Sequence, residues 1–152
     1  MPTIVMLDYP VRLGLQARQH RESLLREFAI IASRGGEAAD VPKRLLEISM
    51  QSDEIYATSN REVDDAVDRA LSRGLDYIDI ELTVPPRLGD DAGETVNLLA
   101  EVYEYCRTGD LLTTIPPPAV SLYWIWLFGE FVRQSNGLPP STWKGFETRF
   151  LQ

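Results

Sequence analysis

The chain has 152 residues with a 44% hydrophobic and 25% charged composition, ordinary for one folded domain with a real core. Its net charge of −8 lies in the middle: residues 40–110 carry seven basic against seventeen acidic side chains. This excludes a basic face for nucleic acid or an anionic membrane, and leaves either a solvated acidic surface or one that steers a basic partner. One cysteine, Cys106, excludes an internal disulfide and agrees with a reducing compartment. Met1-Pro-Thr-Ile-Val does not read as a signal peptide, so the expected location is cytoplasmic.

Thr3–Leu7, β-branched and apolar, predicts a short strand or extended arm ahead of Pro10. From about Arg12 the period becomes helical, with Leu13, Ala17, His20, Leu24, Phe28 and Ile31 on one stripe and Gly35-Gly36 as the stop. Asp40 suits the cap of a second helix with Pro42 in its first turn, and Val41, Leu45, Ile48 and Ile55 form its apolar stripe. Ser59 or Asn60 suits the cap of a third, whose Val63, Ala66, Val67, Ala70 and Leu71 keep the helical spacing up to Arg73-Gly74.

Tyr77–Val84 switches to period two. Ile78, Ile80, Leu82 and Val84 share one face and Asp79, Glu81 and Thr83 the other, which predicts a half-buried strand stopped by Pro85-Pro86. A strand needs a partner, and Thr3–Leu7 and Leu111–Ile115 both qualify. Gly89-Asp90-Asp91 opens a further helix with Val96, Leu99, Val102 and Cys106 inward and Gly109 at its end.

After the stiff Ile115-Pro-Pro-Pro118 comes the stretch on which the chain is organised, Ala119–Val132. Leu122–Phe128 is an unbroken apolar run, and a helix apolar all round is buried in a core or a bilayer. The run is far short of the ~20 residues that span a membrane, so a core helix ending near Asn136-Gly137 is expected. Residues 138–152 follow as a docking tail in which no period is read. The expected fold is mostly α, α+β at most. It is one globular domain, 1–152, with about five helices bundled around the central aromatic helix and a minor strand element.

No stretch reaches a catalytic motif, so no catalytic residue is assigned and an enzyme ranks third among the readings. His20 is the only histidine and lies on an apolar stripe, where a packed, capped imidazole outweighs a general base. Cys106 reads as an inert core thiol. With one histidine and one cysteine there is no zinc spacing, and Asp64 with Asp68, four apart, reads as solvated helix surface rather than a cation site. No metal and no cofactor are expected.

His20, Tyr123, Trp124 and Trp126 are the candidate ligand-binding residues, because small-molecule pockets are apolar and aromatic. Trp143 and Phe146, large aromatics in the tail, either fold back over the bundle or anchor an interface with another protein or a second copy. The leading function is a non-catalytic cytoplasmic regulatory or interaction module, with signal transduction as its setting. The alternative is a sensor domain for a small apolar or aromatic ligand, and the two are separated by whether a cavity opens beside the aromatics.

Several segments resemble small actinobacterial accessory proteins of anti-sigma kinase and antagonist partner-switching systems. They are Pro10-Val-Arg-Leu, Glu22-Ser-Leu-Leu-Arg-Glu-Phe, Tyr105-Cys-Arg-Thr-Gly-Asp-Leu-Leu, Gly129-Glu-Phe-Val-Arg-Gln and Pro139-Pro-Ser-Thr-Trp. Thirteen arginines against two lysines agree with a GC-rich genome. The resemblance implies a non-catalytic regulatory partner of such a kinase or antagonist, and it carries over no site residues.

Overall fold

The computed structural model describes residues 3–33, 43–84, 88–109 and 111–151. They form two strands and six helices: β1 (Thr3–Pro10), α1 (Val11–Ser33), α2 (Lys43–Ile55), α3 (Ala57–Ser72), β2 (Tyr77–Thr83), α4 (Leu88–Thr108), α5 (Pro118–Ser135) and α6 (Trp143–Leu151). The fold is mostly α with a minor two-stranded sheet, as the periodicities predict. Gly35-Gly36, Asp40, Val41, Pro42 and Pro85-Pro86, and the side chains at the start of α4, lie outside the described residues.

The sheet settles which segment partners residues 77–84. β1 runs antiparallel to β2, pairing Thr3 with Thr83, Ile4 with Leu82, Val5 with Glu81 and Met6 with Ile80. Ile4 and Met6 thereby join Ile80 and Leu82 on the buried face. A bulge between Met6 and Tyr9 then shifts the register so that Tyr9 meets Ile78. Asp8 turns the bulge at φ +52°, and its N–H donates to Asp79 Oδ1 at 3.0 Å. The bulge matters because it sends the Tyr9 ring into the core.

Leu111–Thr113 is not a strand but a bend held by a side chain. The Glu27 carboxylate accepts from Leu112 N–H at 2.6 Å and Thr113 N–H at 2.8 Å.

A two-stranded sheet leaves two rows of backbone groups unpaired, and here side chains cover parts of both. At the β1 edge the Gln134 amide accepts from Val5 N–H at 2.9 Å and donates to Val5 C=O at 2.7 Å, as a third strand would. At the β2 edge Thr83 N–H donates to the Glu62 carboxylate at 3.1 Å, and Ser59 Oγ donates to Thr83 C=O at 2.6 Å. This explains a departure from the sequence reading. Ser59 does not cap α3, which begins at Ala57 after Tyr56 with no side-chain cap, because its hydroxyl is committed to the strand.

α5 lies against α1, α4, β1 and α6. Its buried side is Val120, Tyr123, Trp124, Trp126, Leu127, Phe128, Glu130 and Phe131. Burial is not all round, however: Ile125 is 41% exposed, so one stripe of the apolar run faces solvent. Elsewhere the predicted stripes hold with trimmed ends. Val63, Ala66, Val67 and Ala70 are buried on α3, whereas Leu71 and, on α2, Ile55 are exposed. Gly74, Gly109 and Gly137 follow α3, α4 and α5 with φ between +68° and +83°, the left-handed stop expected at each.

The tail differs most from expectation. Trp143, Phe146 and Phe150 stand at i, i+3 and i+7, and the segment is the helix α6. Trp143 is only 3% exposed and meets Trp126 edge-on at 5.5 Å. Before it, Leu7 forms an isolated parallel bridge with Thr142. Glu130, only 2% exposed, accepts from Ser141 N–H at 2.7 Å and Ser141 Oγ at 2.9 Å, and is ion-paired with Arg133. A buried carboxylate thus ties the tail to the central helix. No helix among the described residues is long and apolar enough to cross a membrane.

Candidate ligand cavity

The two sides of α5 are treated differently. On the sheet side the aromatics close on one another. Tyr123 and Tyr9 meet edge-on at 5.6 Å with their hydroxyls 2.6 Å apart, and Trp126 joins Tyr9, Tyr123 and Trp143. Burial pushes both tyrosine hydroxyls well above their usual range, so both stay protonated and one donates to the other. These rings pack on one another and neither Tyr123 nor Trp126 lines the cavity described next, although the buried Trp126 indole N–H has no hydrogen-bond partner among the described residues. Tyr123 and Trp126, two of the four candidate ligand residues, therefore belong to packing.

The opposite side keeps a cavity of about 90 Å³. Leu24, Leu25 and Phe28 of α1, Leu98, Leu99 and Val102 of α4, and Trp124 and Phe128 of α5 supply its apolar walls. Trp124 and Phe128 stack at 5.7 Å, one helical turn apart, and Tyr56 meets Phe128 edge-on at 5.3 Å. α2 closes the remaining side with a polar stripe, Ser49, Ser52 and Asp53, at the i, i+3, i+4 spacing of a helix face. Among the described residues α2 buries only Leu45 and Leu46, so it is the most lightly held wall.

Two further polar groups belong to the lining. His20, the third candidate, lines the cavity together with Trp124, the fourth. Its ring meets Tyr103 edge-on at 5.3 Å, and its Nε2–H donates to Thr114 C=O at 2.7 Å, which fixes the tautomer. The Tyr103 hydroxyl is buried without a completed hydrogen bond although the Trp124 indole lies beside it, and burial pushes it well above its usual range. An unsatisfied buried hydroxyl costs about 1–3 kcal/mol, a cost that a ligand acceptor would remove.

The remaining sequence candidates fall elsewhere. Trp143 is in the core and Phe146 is half-buried against it, with the exposed Phe150 ring 4.6 Å from Phe146. Asp64 and Asp68 do flank a cation, but it is the chain's own: Arg18 lies 3.0 Å from Asp68, and Arg21 3.1 Å from Asp64. Among the described residues no group of three or more His, Cys, Asp or Glu is placed to hold a metal ion. Burial, with Glu27 nearby, pushes the Cys106 thiol up to about 11, which leaves it a poor nucleophile.

The sequence missed Ser52, Asp53, Tyr56 and Tyr103 as cavity residues. Their signal was weak: a polar stripe on one helix and single tyrosines on others meet only once α1, α2 and α4 are folded around α5. Compared with family models, curated proteins and solved structures, the chain matches none.

Proposed function

We propose that the chain is a non-catalytic regulatory module whose input is a small, mostly apolar ligand held between α1, α2, α4 and α5. The observation that carries this reading is the cavity beside Trp124, apolar-walled and lined by a Tyr103 hydroxyl with no completed hydrogen bond among the described residues. Pockets of this make-up, apolar walls with few polar groups, are where small molecules bind. Its volume of about 90 Å³ is below the roughly 150 Å³ of a dry engineered cavity that accepts benzene, so a short chain fits within it and a single ring is only partly enclosed. The depressed reactivity of Cys106 and the commitment of His20 Nε2 to Thr114 support a binding rather than a chemical role.

The output would be a change in contact with another protein. His20 and Glu27 of α1 hold the bend at 112–114, and this segment presents Leu112, 91% exposed, and Ile115 to solvent. A ligand against His20 is therefore one hydrogen bond from an exposed apolar loop. The partner-switching resemblance would make the recipient a sigma-regulatory kinase or its antagonist, in the cytoplasm.

Titration with phenol and indole, followed by melting temperature and tryptophan fluorescence, tests the input. The native protein should be stabilised in proportion to RT ln(1 + [L]/Kd), and Leu99→Trp, which fills the cavity, should abolish the response. Absence of any stabilisation at millimolar probe, or an unchanged response in a folded Leu99→Trp protein, refutes the reading.

A further inference from the structure

Beyond its apolar walls, the cavity has an uneven charge at its mouth. Arg21, the guanidinium that reaches it, is held at 3.1 Å by Asp64. His20 donates its Nε2–H to Thr114 and faces Tyr103. The Asp53 carboxylate, half-buried on α2, has no ion pair or hydrogen bond among the described residues. A second groove of about 180 Å³ shares Ser52, Tyr56, Thr95 and Leu98 with the cavity and adds the carboxylate of Glu94. Among the described residues the Asp53 and Glu94 carboxylates therefore bring negative charge without a counter-ion to the same lining as the aromatic walls.

A carboxylate without a partner beside an apolar cavity is available to a ligand cation through a charge-assisted hydrogen bond. Aromatic faces add attraction for the same charge and suit a flat ring beneath it. From this juxtaposition we infer that the ligand class is an arylalkylamine: a single aromatic ring against Trp124 and Phe128, with a protonated amine one short alkyl chain away at Asp53. The acidic surface of residues 40–110 would draw such a cation toward the mouth and disfavour an anionic analogue. The inference rests on the cavity reading and adds the charge and shape of its occupant.

Three probes of nearly equal shape separate the alternatives: 2-phenylethylamine, 2-phenylethanol and 3-phenylpropionate. Calorimetric titration of the full chain at low salt should rank them amine, alcohol, acid, with the amine at least about tenfold tighter than the alcohol, which is 1.4 kcal/mol. Asp53→Asn should bring the amine to within about twofold of the alcohol while leaving the alcohol's own affinity unchanged, and Glu94→Gln should have the smaller effect. Equal binding of amine and alcohol to the native protein overturns the charge assignment and leaves the cavity standing. So does an amine preference that survives in Asp53→Asn. Preference for the acid overturns it as well. If none of the three binds, the cavity reading itself fails and the inference falls with it.

Discussion

Two glycines inside helices should respond oppositely to the same change. Gly14 lies in α1 under the Tyr9 ring: a Cβ added there would stand 2.7 Å from both Cε1 and Cζ of that ring. Ordinary contact is about 3.5–4.0 Å, so the ring or the helix must move by roughly an ångström. The ring has nowhere to go. Tyr9 is fully buried, its hydroxyl is held 2.6 Å from that of Tyr123, and Trp126 lies on its other side. Overpacking of this kind costs about 1–3 kcal/mol, at the upper end when backbone must shift, and the better helix propensity of alanine returns about 1 kcal/mol. Gly14→Ala should therefore be destabilised by about 2 kcal/mol. Gly129 in α5 has nothing within 4 Å of its added Cβ, so Gly129→Ala keeps only the propensity gain and should be stabilised by about 0.5–1 kcal/mol.

The assay is urea unfolding of the two variants beside the parent, with equal slopes required before midpoints are compared. A double variant sharpens it: Tyr9→Leu with Gly14→Ala removes the obstructing ring, so the two losses should be far from additive. If Gly14→Ala is as stable as the parent, the bulge at Asp8 does not deliver the Tyr9 ring onto α1, and the ring packing described above is wrong.

Further tests follow from other contacts. Gln134→Ala leaves the outer N–H and C=O of Val5 without partners and should cost about 1–3 kcal/mol, with faster hydrogen exchange at Val5 N–H; an unchanged exchange rate would show the edge closed by something else. Truncation after Gly137 removes Trp143 from Trp126 and Ser141 from the buried Glu130, so it should lower the melting temperature by at least about 8 °C, at roughly 2–4 °C per kcal/mol; a truncated chain melting within two degrees of the parent would make the tail a surface attachment. Cys106, with its thiol at about 11, should resist iodoacetamide at pH 8 until denaturant is added, and rapid alkylation of the native protein would contradict its burial.

How far the sequence announced this molecule depends on whether a feature is local. The helical spacing of Val63–Ala70 and the alternation of Ile78–Val84 are each fixed within a dozen residues, and both appear as read. The choice of β1 over Leu111–Ile115 as strand partner was not legible, because it turns on Glu27, 84 positions before Leu111, occupying that segment's backbone donors. Ser59 misled for a similar reason: a serine before a helical run looks like a cap, and its commitment to Thr83 is tertiary. The period of Trp143, Phe146 and Phe150 was present but obscured by Pro139-Pro140 and by the shortness of the run. Of the four candidate ligand residues, all drawn from aromatic and histidine content, only His20 and Trp124 line the cavity. Composition marks aromatic residues; rotation about the α5 axis decides which of them face a space.

That rotation also accounts for why a space exists. Around α5, Tyr123 and Trp126 meet β1 and α6, elements that supply Tyr9 and Trp143, rings large enough to fill the gap between a helix and a sheet. Trp124 and Phe128 instead line a space that α2 closes with Ser49, Ser52 and Asp53, small or polar side chains that cannot complete an apolar wall. One leucine or phenylalanine at Ser52 would occupy much of the volume and gain about 1.5–3 kcal/mol from burial. A chain that packs one face of its central helix with four rings and leaves on the other an apolar space closed in part by Ser49, Ser52 and Asp53 is giving up stability at one place. Binding sites are where such local departures from good packing are expected. The open face, rather than the aromatic content that first drew attention to this helix, is what makes it a site.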